Sequence, residues 1–423
     1  MNKNKFFSAN TQIDNVKARI LLTMKLILIA RLGIFTPIPG IDHNAFSSSL
    51  AKNSIVSFLN VFTGGSFTSV GLFSLGIVPY INASIIVQLL TTAIPSLERL
   101  QKEEGELGKK KISQITRYIS LGWSFIQALG IAFWLKPYIF EWNIYFVVQT
   151  ILLLVSGSML IMWFAETITE KGIGNGPSII IFVNIVSNMS RVISEISTGK
   201  YNLGNFQNWL IYLAIVLVTI IGIILVQEGT RKIPIISARQ LGKHNAQTQN
   251  SYLPLRLNQS GVMPIIFASA VLVLPASIIQ ITNNIYVARI LSLFSPSSPT
   301  KIVYFLFYFF LILFFSYFYT SIILNPEELS QNLKKMTVTI PGIKPGAMTE
   351  KFLKKTLNKL TFLGAIFLAC VAIIPIISEF LTGMAIFKGF GGTSILILVG
   401  VAIDTSRQLQ TYLISKNYEN VMK

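Results

Sequence analysis

The sequence predicts an all-α membrane protein with ten transmembrane helices in two inverted five-helix halves. Three observations carry that prediction. The 423 residues are 52% hydrophobic and only 12% charged, with mean hydropathy +0.62, whereas soluble domains carry about 25% charged residues. Ten apolar runs reach the roughly 20 residues that a spanning helix needs. Segments from the two halves also match each other at corresponding spans.

The spans fall at about 20–39, 76–95, 114–135, 144–165, 177–197, 207–227, 261–282, 302–324, 359–378 and 391–410. The first follows a lysine-bearing polar stretch with no small-residue cleavage pattern or Ser/Arg-rich leader, so no cleaved targeting segment is expected. The second, GIVPYINASIIVQLL (76–90), places Ile81 and Ile85 four apart on one helical face. Asn82, Ser84 and Gln88 on the adjoining faces are expected to meet water or neighbouring helices. The run 54–75 is apolar but broken by Gly64-Gly65 and dotted with Ser and Thr, too interrupted to span. Such backbone at membrane depth is tolerated only when buried in protein or lining a cavity, so a folded-in, partly helical segment is expected. KGIGNGPSIIIF (171–182) reads as a tight turn into the fifth span, since no strand precedes it to make a nucleotide loop.

Charge sets the orientation. With both termini in the cytoplasm or stroma, 25 of the 35 Lys and Arg fall on that side. The opposite side holds seven: Lys52, Lys136, Arg191, Lys200, Arg289, Lys301 and Lys388. This bias is the positive-inside rule, and it accounts for the net charge of +18 without nucleic acid. Two basic loops on the inner side, about 228–257 and 325–358, are long enough to suggest function. In the second, Pro341-Gly342 and Pro345-Gly346 mark a shaped turn.

An odd number of spans per half makes the second copy inverted. GIVPYINASIIVQL (76–89) pairs with GVMPIIFASAVLVL (261–274), and GPSIIIFV (176–183) with GTSILILV (392–399). These pairings set Ile81 beside Ile266 and Ile181 beside Ile397. The halves are drawn at 1–205 and 206–423, and in such architectures the functional path lies between them.

Reaction chemistry is missing. No zinc motif, nucleophile elbow or phosphate-binding glycine loop is present, so neither a catalytic set nor a cofactor is expected. Cys370 is the only cysteine, and His43 and His244 lie in separate loops, which leaves no metal set. The other class of function is a secondary transporter of a small solute. Such carriers usually need ionisable groups inside the membrane, but Glu166, Glu228, Glu379 and Asp404 all sit at span ends. Arg31 is the one deep charge, expected to pair with a neighbouring helix or partner. Apolar rings, by contrast, can close a pore by dewetting, which gives the isoleucine face a water-filled path to point into.

Nine stretches together identify a family: TPIPGID (36–42), FTGGSF (62–67), LGIVPYINASIIVQLL (75–90), EGELGKKKISQITRY (104–118), EKGIGNGPSIIIF (170–182), LPLRLNQSGVMPIIFAS (253–269), NPEELSQNLKK (325–335), IPGIKPG (340–346) and FGGTSILILV (390–399). Over essentially its whole length the chain resembles the SecY family, the central channel subunit of the Sec protein translocon. The resemblance implies a clamshell of two inverted halves around an hourglass channel. It puts the constriction ring on Ile81, Ile85, Ile181, Ile185, Ile266 and Ile397. A short plug helix is implied at about 55–73, with Asn60, Phe62, Gly64, Gly65 and Phe67, and a lateral gate between spans two/three and seven/eight, with Gln88, Thr91 and Ser269. Arg231, Lys232, Arg239, Lys243, Lys334, Lys335 and Lys344 fall where the family docks a SecA-type motor ATPase or the ribosome.

The other implied partners are a SecE-type small subunit, with or without a SecG-type third subunit, the translocating polypeptide and membrane lipid; direct nucleic-acid binding is not implied. One departure is Lys344, where the family's loop tip usually carries arginine. Charge is kept there, but the planar five-donor fork is lost. AIPSLERLQKEEGELGKKKISQITRY (93–118) and INASII (81–86) look most like the cyanobacterial and plastid branch, and the Ile-, Asn-, Lys- and Phe-heavy usage suggests an AT-rich genome. The expected location is the plastid thylakoid membrane with both termini stromal, with a bacterial plasma membrane as the alternative.

Overall fold

The computed structural model describes residues 4–42, 64–65, 70–102, 105–140, 142–197, 206–237, 251–269, 271–272, 301–382 and 392–421. The expected plug residues Asn60, Phe62 and Phe67, the docking candidates Arg239 and Lys243, and the far part of the seventh span lie outside the described residues.

In chain order the first elements are α1 (Asn4–Ile34), α2 (Val78–Ala93), α3 (Pro95–Lys102), α4 (Gly105–Trp134), α5 (Ile144–Lys171) and α6 (Gly176–Ser197). After them come α7 (Phe206–Glu228), the strands β1 (Thr230–Pro234), β2 (Ile236–Ser237) and β3 (Tyr252–Arg256), and a helical stretch at 263–269. The chain closes with α8 (Lys301–Ile323), α9 (Pro326–Lys335), β4 (Val338–Thr339), α10 (Ala347–Thr382) and α11 (Gly392–Val421). Among the described residues, Ile144–Lys171, Val303–Lys335 and Ala347–Ile374 are long and apolar enough to cross a membrane. Val78–Ala93, Gly176–Ser190 and Leu213–Glu228 are shorter apolar helices.

Two compact units result. The first joins Met1–Gly204, Ala270–Lys301 and Met384–Lys423; the second joins Asn205–Ser269 and Ile302–Gly383. In the first unit α4 lies between α2 and α5. Its buried positions are Gly108, Thr116, Ser120, Ser124, Ala128 and Ala132, small residues on one recurring face. Such a stripe lets helix backbones approach closely where lipid provides no hydrophobic drive. An apolar cluster of Ile38, Ile41, Val70, Leu75, Leu135 and Leu154 seals one end of these helices.

Several helices outrun their predicted spans. The expected first span was 20–39, whereas α1 begins at Asn4 and ends at Ile34. Hydropathy marks the membrane crossing, and a helix can continue into water beyond it. The early stop has a local cause: Pro37 follows Thr36, and a residue before proline is pushed out of the helical region. α10 and α11 extend past 359–378 and 391–410 in the same way. Ile94, extended at φ −109° and ψ 111°, ends α2 just ahead of Pro95.

In the second unit the two long connections expected at about 228–257 and 325–358 carry paired strands. β1 pairs antiparallel with β3, Ile233 facing Leu253 across the ladder. β2 pairs with β4, Ile236 with Thr339 and Ser237 with Val338, so the 6/7 and 8/9 connections are stitched together. Ile233, Leu255, Ile340, Leu353, Leu357 and Leu360 form a core beneath them. α9 is a well-built short helix. The Asn325 side chain accepts from the Glu327 N–H at 3.1 Å, and Pro326 opens the first turn. Glu327 and Glu328 at its start and Lys334 and Lys335 at its end complement the helix dipole.

Candidate functional site

Five of the six ring candidates lie in the first unit. α2 contributes Ile81 (7% exposed) and Ile85 (6%), α6 contributes Ile181 (1%) and Ile185 (0%), and α11 contributes Ile397 (0%). On α2 and on α6 the two isoleucines are one helical turn apart, so each pair shares a face. Ile266, 4% exposed, belongs to the second unit.

Hydroxyls on these helical segments turn inward on their own helices. Ser84 Oγ donates to the Ile81 carbonyl at 2.8 Å, Thr91 Oγ1 to Gln88 at 2.8 Å, and Ser269 Oγ to Ile266 at 2.8 Å. Hydroxyls in helices do this readily, so they need no partner across the bundle. The amides differ: Asn82 Nδ2 and Gln88 Oε1 are buried with no hydrogen-bond partner among the described residues. An orphaned buried polar group costs about 1–3 kcal/mol. Of the lateral-gate candidates, Gln88 and Thr91 sit in the first unit and Ser269 in the second.

Gly64 and Gly65 form a turn at φ 66° and 92°, the left-handed region that favours glycine. A Cβ on Gly64 would stand 2.7 Å from both Arg31 Nη1 and Asn184 Oδ1. Arg31 Nη1 donates to the Gly64 carbonyl at 3.2 Å, and Nη2 donates to the Val183 carbonyl at 3.1 Å. Arg31 therefore meets both α6 and the Gly64-Gly65 turn. At residues 70–72 the chain is knit to the end of α1: Ile38 N–H donates to Val70 O at 3.1 Å and Leu72 N–H to Thr36 O at 2.9 Å. Val70 holds φ 42°, a costly conformation for a β-branched residue. Gly157 of α5 lies directly against the Leu72 carbonyl, where a larger residue would collide with backbone.

The turn into α6 is anchored from three sides. Gly174, at φ 80°, donates its N–H to Gln408 Oε1 of α11 at 2.8 Å. Ile173 N–H donates to Thr23 Oγ1 of α1 at 3.2 Å, and Gly176 N–H to Thr169 Oγ1 of α5 at 2.9 Å. Sequence reasoning missed Thr23, Thr169 and Gln408 as anchors. Near this end Arg117 Nη2 pairs with Glu166 Oε2 at 2.9 Å.

The docking candidates that can be placed cluster on the second unit. Arg231 and Lys232 are exposed on β1, and the Lys232 ammonium lies 4.9 Å from the centre of the Tyr252 ring on β3. Lys334 and Lys335 end α9. Lys344 is exposed at the tip between Gly342 (φ 79°) and Gly346 (φ 101°). That tip is pinned from behind: Ser330 Oγ donates to Gly346 O at 2.9 Å and Thr349 Oγ1 to Lys344 O at 3.0 Å. The sequence pointed to these cations but not to the folded platform that carries them. Its one signal was the short alternation of Ile233, Leu253 and Leu255 inside otherwise charged loops.

A SecY family profile matches residues 71–406. The chain is 58% identical over 420 residues to the protein translocase subunit SecY of Guillardia theta, covering 98% of this chain and 100% of that one. It is 52% identical over 432 residues to that of Synechococcus elongatus, covering 100% and 98%. Among solved structures it resembles a protein-conducting channel with TM-score 0.67 at 16% identity, over 95% of this chain and 93% of that one. Sec61 from a canine ribosome–channel complex gives TM-score 0.65 at 16% identity over the same shares.

Proposed function

The chain belongs to the SecY family, and from that membership we propose how its residues conduct protein. It is a multi-pass membrane protein and the channel subunit of a protein translocase, not an enzyme. It passes unfolded polypeptides across the membrane and releases apolar segments sideways into it. The observation that supports the site assignment is the isoleucine set. Five of these isoleucines, on α2, α6 and α11 of the first unit, are each at most 7% exposed, and Ile266 of the second unit is 4% exposed; the role assigned to them is an apolar wall that excludes water and ions until a chain parts it.

Around that wall we assign the segment at about 55–73 as the plug, and Gln88, Thr91 and Ser269 to the lateral gate. A passing polypeptide or entering water would satisfy the orphaned amides of Asn82 and Gln88. The platform bearing Arg231, Lys232, Lys334, Lys335 and Lys344 is the docking face for a SecA-type motor or the ribosome, which supplies the driving force. A SecE-type small subunit completes the channel. Likeness to SecY proteins of plastid and cyanobacterial sources supports the thylakoid membrane as the location, and the charge bias supports stromal termini. The inverted halves 1–205 and 206–423 are repeat units of sequence; compactness follows another partition because α11 packs on α6.

The decisive experiment is site-specific crosslinking of an arrested secretory chain to positions 81 and 266, then to the other four. Crosslinks to the polypeptide are expected and would exclude a small-solute carrier. Silence from all six positions would sink the ring.

A further inference from the structure

Arg31 is the one charge placed deep in the first span, and its guanidinium is spent on two backbone carbonyls from distant parts of the chain. One belongs to Gly64, in the turn of the plug region; the other belongs to Val183, which lies on α6 between Ile181 and Ile185. We propose that Arg31 is a positioning residue of the closed channel, clasping the Gly64-Gly65 turn to the helix that carries two of the five ring isoleucines in the first unit. The proposal rests on reading 55–73 as the plug.

The geometry suits a clasp. A guanidinium presents its donors in a rigid fork, and here two nitrogens reach two separate elements, at 3.2 and 3.1 Å. The turn can come this near only because residue 64 has no side chain. A Cβ there would meet Arg31 Nη1 on one side and Asn184 Oδ1 on the other, both at 2.7 Å. The φ of 66° selects glycine a second time. Asn184, 5% exposed, closes the back of the seat.

The same chemistry makes the clasp releasable. Arg31 is half-buried, and at a site sheltered from bulk water charge-assisted hydrogen bonds are stronger than neutral ones. Once the path fills, water replaces both carbonyls, and the guanidinium loses little by letting the turn go. The opening event itself weakens the clasp, so the plug is held firmly at rest and freely when the channel works.

The test uses the full channel complex in planar bilayers, reading resting ion conductance, with export of a substrate carrying a defective signal as a second readout. Arg31→Gln should raise resting conductance by roughly tenfold or more, since hydrogen bonds to charged groups are the stronger ones lost. Arg31→Lys should lie between, because one ammonium cannot fork to both carbonyls. Gly64→Ala attacks the clasp from the other side and should raise conductance while leaving Arg31 in place.

Deleting residues 58–70 separates the two readings. If the plug reading holds, the deletion alone raises conductance. The clasp then requires that Arg31→Gln add nothing in the deleted background. An equal further rise there would make Arg31 an ordinary packing residue and overturn the proposal. So would wild-type conductance for both Arg31→Gln and Gly64→Ala beside a leaky deletion. A deletion that leaves conductance unchanged or abolishes assembly would refute the plug, and the clasp with it.

Discussion

Replacing Ile397 by asparagine tests the apolar wall at a residue with no measurable exposure. The closed state loses the burial of a branched aliphatic side chain, about 1.5–3 kcal/mol. It also gains an amide with nothing to bond among Ile81, Ile85, Ile181 and Ile185, if the ring closes as proposed, at about 1–3 kcal/mol. In a water-filled path both penalties vanish, so they fall on the closed state alone. Together they shift the closed–open balance by about 2.5–6 kcal/mol, or roughly 60- to 20,000-fold at about 1.4 kcal/mol per decade. Resting conductance of the reconstituted complex should rise accordingly, with export of defective-signal substrates rising beside it. Ile397→Val removes one methylene, about 0.5–1.5 kcal/mol, and should leak less than the asparagine variant. Wild-type conductance for Ile397→Asn, or equal leaks from the two variants, would refute the wall.

Two further outcomes follow from the platform. Lys344→Glu reverses the charge at a rigid tip, and like-charge juxtaposition at a docking face costs several kcal/mol; motor-driven transport in vesicles should collapse while resting conductance stays at wild type, Lys344→Arg should transport at least as well as wild type, and normal transport by Lys344→Glu would make the tip an ordinary turn. Leu353, fully buried in the platform core, should cost about 2–5 kcal/mol of local stability on replacement by alanine, read as faster amide exchange across β1 and β3; unchanged exchange would mean that the strands are held without that core.

The legible part of the molecule was the part written in periodic side chains. Apolar runs pointed to the long helices, among them Ile144–Lys171 and Ala347–Ile374. Arg31 was legible as an anomaly, but its partners were not: both are backbone carbonyls, and every residue has one. The anchors Thr23 and Gln408 were hidden for a related reason. Each serves an N–H 150 or more residues away, and single polar residues on helices carry no periodic signal. The platform was missed because its core is built from isolated aliphatics. Ile233 and Leu255 each sit among prolines and cations, which composition reads as solvated loop.

The two-residue pairing of β2 with β4 also dates the platform within the life of the chain. β1 and β3 close a local hairpin, but Ile236 and Ser237 must wait for Thr339 and Val338. About 100 residues separate them, roughly 5–20 s of synthesis at ordinary elongation rates. During that interval two further apolar stretches must leave the ribosome. The basic face is therefore unfinished on a half-made chain. Any partner that needs the completed face as its seat must wait until residue 339 has been made.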